Sequence, residues 1–156
     1  MGLPVSKILI IGVGNEYRGD DAVGLLVARR LRSVLQQEID VLEYNSDITG
    51  LIDLWGPEDI VYIIDAVSSD DVPGTIARFD AGSNALPSEI FRCSTHVVDL
   101  GQLLELARAL ERMPKRLIIY AVAGQKFKLG DTLSAGIGEA VKRVVDHIEE
   151  ELNLIQ

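Results

Sequence analysis

The chain holds one cysteine, Cys93, so it can form no internal disulfide, which suits a reducing cytoplasm. Positive charge is the scarcer sign: 15 Lys and Arg against 24 Asp and Glu give a net charge of −9, with no basic block anywhere. Nucleic acid binding needs clustered cations to displace counterions, so no nucleic-acid partner is expected. No apolar run approaches the roughly 18–20 residues needed to cross a bilayer. The N-terminus lacks the charged start, apolar middle and cleavage site of a signal peptide. Met1-Gly2-Leu3-Pro4-Val5-Ser6 formally fits the myristoylation pattern, but a strand starts at once and no polybasic second anchor follows. The expectation is a cytoplasmic protein without membrane insertion.

What remains is an ordinary globular composition, 47% hydrophobic and 25% charged over 156 residues. That length fits one domain, 1–156, with a core of several layers. Strand-type runs fall at 7–12, 40–44, 60–65, 75–80 and 116–122. Between them apolar residues recur at helical spacing: Val23, Leu26, Val27, Leu31, Val34 and Leu35, then Leu100, Leu103, Leu104, Ala107 and Leu110. A last helix carries Ile137, Val141, Val144, Ile148 and Leu152 on one face. Pro114 stops a helix over 97–112, and Pro73-Gly74 marks a turn before the fourth strand. Residues 8–11 and 60–64 are continuously apolar, as central strands covered on both faces are. Strand–helix alternation predicts a doubly wound α/β sandwich.

The chemistry concentrates in the turn after the first strand, Gly12-Val13-Gly14-Asn15-Glu16-Tyr17-Arg18-Gly19-Asp20-Asp21. A glycine turn before a helix usually receives phosphate on unpaired N–H groups. Here Glu16, Asp20 and Asp21 would repel phosphate and hold a cation. The dinucleotide fingerprint also fails, because Tyr17 stands where its third glycine is needed. Ligands in open α/β sheets bind beyond the carboxyl ends of the strands. Asp20 and Asp21 follow strand one, Asp65 ends strand three, and His96 opens a helix. Two carboxylates and one imidazole form a common ligand set for a divalent cation, with positions left open for water or substrate.

Each residue also has a structural alternative. Asp20 or Asp21 could cap the first helix, Asp65 could brace a loop, and His96 could be structural. Cys93 reads as a small buried hydrophobe, with a Cys–His nucleophilic pair left open. His147 falls beside the apolar stripe of its helix and should face solvent. A phospho-accepting receiver domain competes, since Asp20/Asp21, Asp65 and Lys126 imitate its magnesium-binding outline. Its weakness is that it gives His96 no role.

Four segments together resemble the endopeptidases that mature the large subunit of nickel–iron hydrogenases: GVGNEYRGDDAVG at 12–24, DAVSSDDVPGT at 65–75, STHVVDLGQLLELARAL at 94–110 and AGQKFKLGDTLS at 123–134. The resemblance implies a three-layer α/β/α sandwich around a five-stranded, mostly parallel sheet of order 2-1-3-5-4 with one antiparallel strand. It places the metal ligands, and catalysis through the metal, on Asp21, Asp65 and His96. Relatives often carry Glu at the first of these. It maps an acid after strand two onto Glu43, where Tyr44-Asn45-Ser46 replaces the glycines of relatives. Asn15, Glu16, Asp20 and Glu43 become substrate-contacting or accessory residues, with Glu16, Asp20 and Glu43 as general-base candidates. The implied activity is metal-dependent removal of a C-terminal extension from a nickel-loaded hydrogenase large-subunit precursor. The divalent metal would be nickel, delivered within the substrate. A non-catalytic nickel-sensing maturation factor is the alternative from another class.

Overall fold

The computed structural model describes residues 7–36, 38–81 and 95–155, with side chains of the last segment from residue 100 onward. Five strands form one sheet: β1 (Ile8–Val13), β2 (Ile39–Tyr44), β3 (Ile60–Ser68), β4 (Ile76–Asp80) and β5 (Arg116–Gly124). Their order is β2-β1-β3-β5-β4. All neighbours are parallel except β4, which runs antiparallel to β5. This is the order expected from the resemblance. A receiver would instead carry the all-parallel order 2-1-3-4-5, so that reading falls.

Period-two alternation sends neighbouring strand residues to opposite faces. Leu9, Ile11, Val61, Ile63, Leu117 and Ile119 form one buried cluster with Leu100, Leu103, Leu104 and Ala107 of α2 (Thr95–Ala109). Ile48, Leu51 and Ile52 of a short 3₁₀ helix, Ile48–Asp53, join them. On the other face Ile10, Tyr62, Ile64, Ile118 and Tyr120 pack against α1 (Val23–Val34) and α3 (Ile137–Ile155). The full predicted stripe of α3, from Ile137 to Leu152, is buried. The sheet thus has helices on both sides.

Two stripe residues depart from expectation. Val34 is 54% exposed as the last residue of α1, and Leu110 is 53% exposed beyond the end of α2. The second helix spans 95–109, not 97–112. Its end is a Schellman motif: Arg112 N–H donates to Ala107 O at 2.7 Å and Glu111 N–H to Arg108 O at 3.1 Å. Glu111 takes the left-handed position, φ 54°. The helix therefore ends before Pro114 can stop it, and Leu110 turns outward. Trp55 Nε1 donates to Arg112 O at 2.7 Å, fixing this end beside the start of β5. A helix of 15 residues is about 22 Å long, so its first turn, with His96, lies toward the carboxyl edge of the sheet.

The glycines of the first turn serve packing. A Cβ on Gly24 would lie 2.4 Å from both Ile64 O and Val13 O, and one on Gly12 would lie 2.1 Å from Gly24 O. Helix α1 therefore meets β1 and β3 backbone to backbone. This yields a sign test, since alanine outranks glycine in helices by about 1 kcal/mol. At Gly101 in α2 no described atom lies within 4 Å of a new Cβ, so Gly101→Ala should stabilise by about 0.5–1 kcal/mol. Gly24→Ala should instead destabilise, by about 1–3 kcal/mol as overpacking does. Urea midpoints of the two variants check the opposite signs.

Candidate active site

The acidic turn lies over the carboxyl ends of three strands. Pairing of β1 with β3 stops at Gly12–Ile64, and the chain then crosses as a 3₁₀ turn, Gly19–Ala22, that carries Asp20 and Asp21. Neither aspartate caps α1. The N-cap position is Ala22, which makes no side-chain capping bond.

Asp20 is wholly buried. Its Oδ2 accepts from Gln125 N at 2.8 Å, Lys126 N at 3.0 Å and Ser134 Oγ at 2.6 Å, and its Oδ1 from Ser134 N at 2.7 Å. Its own N–H donates to Lys126 O at 2.8 Å. Burial pushes this carboxyl up, but the bonds from Ser134, Gln125 and Lys126 outweigh it and hold the group below its ordinary value. Gly124 makes room, since a Cβ there would come 2.7 Å from Asp20 Cβ. Gly19, at φ 54°, allows an equally close approach to Lys126 O on the same loop. Asp20 thus joins the first turn to the segment 125–134 and is closed to solvent. Both oxygens of this general-base candidate are engaged in those bonds.

Asp21 is placed differently. Its Oδ2 accepts Asn15 N–H at 2.9 Å. It lines a cleft of 240 Å³ with Val13, Gly14, Asn15, Arg18, Asn45 and Ser46. Asn15 shapes this loop, its Oδ1 accepting Tyr17 N–H at 2.9 Å in an Asx turn. Asp65 is fully buried and lies inside β3, opposite Ala121, not at the strand's end. The strand runs on because Ala66, Val67 and Ser68 continue to pair with β5. Alternation puts Asp65 on the same face as Ile63 and Val67, the face that α2 covers. The backbone of His96 lies in the first turn of α2; its side chain, and the whole of Cys93, lie outside the described residues. Among the described residues no group of three His, Cys, Asp or Glu is gathered for a metal. Two of the three expected donors are therefore seen at one edge. They are oxygen donors, which with an imidazole suit a borderline divalent cation.

Glu43 and Glu16 are tied to one arginine. Arg29 Nε donates to Glu43 Oε1 at 2.9 Å and its NH2 to Glu16 Oε2 at 3.1 Å, while Arg32 NH1 donates to Glu43 Oε2 at 3.0 Å. The Arg29 and Arg32 bonds hold Glu43 below the usual carboxylate range despite partial burial. Such a carboxylate is a poorer base than an unpaired one. Both glutamates line a second cleft, of 340 Å³, with Tyr17, Leu25, Arg29 and Tyr44. His147 is exposed on α3, as expected, and faces a separate groove with Arg78, Tyr120 and Arg143.

The sequence profile of the family described as hydrogenase maturation protease matches residues 26–153. The chain belongs to this hydrogenase maturation protease family. It is 28% identical over 153 residues to the hydrogenase 2 maturation protease of Escherichia coli, covering 92% of each chain. Among solved structures it resembles a [NiFe] hydrogenase maturation protease HybD from Thermococcus kodakarensis, at TM-score 0.72 and 29% identity, over 92% of this chain and 97% of that one. The hydrogenase maturating endopeptidase HybD of E. coli shares the fold at TM-score 0.74 and 21% identity, over 94% of this chain and 92% of that one. Among the described residues of this maturation protease, no helix is long and apolar enough to cross a membrane.

The Asp20 clamp predicts a pH dependence. A carboxyl lowered on folding contributes stability above its unfolded value, 3.8, and loses it as pH falls through the folded value. Asp20→Asn keeps the shape but removes the charge, and its amide donors face the loop's N–H groups. The variant should lose about 2–4 kcal/mol at pH 7, since bonds to a charged group contribute roughly 1.5–3 kcal/mol and buried donors are left unmatched. Urea titrations should show the gap between wild type and variant narrowing below about pH 4.

Proposed function

We propose that this maturation protease removes the C-terminal extension of a nickel–iron hydrogenase large-subunit precursor after nickel insertion, and that the precursor brings the nickel as part of the substrate. The observation that supports this most is the placement of Asp21 and Asp65 at the carboxyl edge, with the first turn of α2 directed to the same edge. In this reading Asp21, Asp65 and His96 receive the precursor's metal. Oxygen and nitrogen donors form an incomplete set for nickel, and the precursor's thiolates complete it. When bound, the cation supplies polarisation of a carbonyl and a lowered pKa for water.

The chain's own residues then act by position. Asp20 fixes the turn on which Asp21 stands. Asn15 N–H fixes one oxygen of Asp21 and leaves the carboxylate oriented in its cleft. Arg29 pairs with both Glu16 and Glu43, so neither is offered as the general base. A cytoplasmic location accords with the single cysteine. The alternative, a nickel-sensing factor that binds the precursor without cutting it, shares the ligand set and differs only in product.

The test is purified protein mixed with precursor, before and after nickel loading, followed by intact mass. Loss of a C-terminal peptide only from the nickel-loaded form is the expected result, with casein untouched. Binding without mass loss would establish the sensing factor instead. Asp21→Asn, Asp65→Asn and His96→Ala should each reduce processing at least about a hundredfold, as loss of a group acting directly at the reaction does. His147→Ala should process at the wild-type rate. Equal behaviour of the two histidine variants would remove His96 from the site.

A further inference from the structure

The groove that His147 faces is a cavity of 580 Å³, and it shares no lining residue with the clefts of Asp21 and Glu43. Its walls are the turn 72–75, Ile76 and Arg78 of β4, and Arg143 and His147 of α3, with the buried ring of Tyr120 beneath. These walls are fixed. Gly74 N–H donates to Ala123 O and Ala123 N–H to Thr75 O, both at 2.8 Å, so the turn is tied to β5. A Cβ on Gly74 would lie 2.6 Å from Gly136 O, so the turn also sits directly on the chain before α3. Arg78 is held by Glu151, which accepts from its Nε at 2.6 Å and its NH2 at 3.2 Å. The hydroxyls of Tyr62 and Tyr120 donate to the same carboxylate. The ring of His147 stands edge-on to Tyr120, with 6.5 Å between centroids. A groove with such preformed walls loses little freedom when a guest enters.

Its charge is unlike that of the chain, whose net charge is −9. The lining holds two arginines and no carboxylate. Glu151 neutralises Arg78 from below. Arg143 makes no ion pair or hydrogen bond among the described residues. Of the nearby acids, Glu139 pairs with Lys142 at 3.6 Å and Asp71 accepts from Ser69 Oγ at 3.1 Å. Asp70, Asp146 and Glu150 are exposed and form no part of the lining. The groove therefore carries one uncompensated positive charge beside the apolar surface of Val72, Pro73 and Ile76.

We propose that this groove binds a small organic carboxylate, with its charge on Arg143 and its apolar body against Val72, Pro73 and Ile76. A guanidinium fork matches a carboxylate in shape as well as charge. Arg78 adds to it, since a guanidinium has five N–H donors and the Glu151 bonds use two. One negative charge balances the one free cation, whereas a phosphate monoester brings nearly two. The cavity falls within the roughly 300–1,000 Å³ of small-molecule sites, far more than an inorganic anion fills. This site goes beyond the protease reading and does not depend on it. A free acid and the C-terminus of a peptide offer the same chemistry, and the experiment separates them.

The experiment titrates the full chain with phenylbutyrate and follows backbone amides by NMR. Saturable shifts in residues 72–76 are expected, and phenylbutyramide, which lacks the charge, should bind at least about tenfold more weakly. Arg143→Gln should raise Kd for phenylbutyrate by a similar factor, while Lys142→Gln, at the neighbouring exposed cation, should bind as wild type does. Amides far from α3 should keep their wild-type positions in both variants, because both side chains are exposed. A short apolar peptide, with its C-terminus free or amidated, forms the second arm. Binding that amidation abolishes supports the site and assigns it to a chain terminus; binding of phenylbutyrate alone supports it as a site for a free acid. Equal affinity for phenylbutyrate and phenylbutyramide, or tighter binding of phenyl phosphate, overturns the proposal. So does saturation that moves Asn15 and Asn45 instead of residues 72–76, or no saturation at millimolar concentration.

Discussion

A carboxylate sealed from water remains an anion only where hydrogen bonds replace its hydration. Asp20 meets that condition with three backbone N–H groups and one hydroxyl, all from residues more than a hundred positions away in sequence. Because both its oxygens are engaged, the first turn and the 125–134 loop hold one relation to each other. Everything at the carboxyl edge depends on that relation. Asp21 is the next residue along, so its cleft is positioned by its neighbour's bonds. The glycines at 19 and 124 belong to this device too, since each removes a Cβ from the path of the opposite loop.

Much of the sheet was legible because burial on both faces leaves a direct mark. Residues 8–11 and 60–64 are apolar without interruption, and both prove to be central strands. The strand order was not legible from periodicity. Alternation of strands and helices states that neighbours are parallel but not which strand returns against β5; the resemblance supplied that. Helix ends were read less well. Pro114 is a visible stop signal, yet α2 ends five residues earlier through Glu111, a residue with no special claim on the left-handed region.

The acidic pair shows where sequence reasoning runs out. Asp20 and Asp21 are identical in kind and adjacent, and no local rule separates them. Their difference lies in distant partners: Ser134, Gln125 and Lys126 for one, Asn15 and the cleft for the other. A signal did exist in the segment 123–134, where Gly124 and Ser134 stand without an evident local purpose. Only the fold reveals that they serve Asp20. The pairing of Glu43 was hidden for a similar reason. Its two arginine partners sit at 29 and 32, on one face of α1, and their reach across to β2 depends on how closely α1 meets the sheet.

That closeness connects the core to the site. Gly12 and Gly24 let α1 lie against β1 and β3 at backbone contact. A helix held farther out would carry Arg29 away from Glu16 and Glu43. Two carboxylates beside a cleft that already contains Asp21's neighbours Gly14 and Asn15 would then lose the cation that neutralises them. Like charges so placed repel one another. Arg29 prevents this by occupying Glu16 and Glu43 together. The same glycines that satisfy packing therefore keep the two carboxylates paired, and a change in helix seating would be felt as a change in the electrostatics of that cleft.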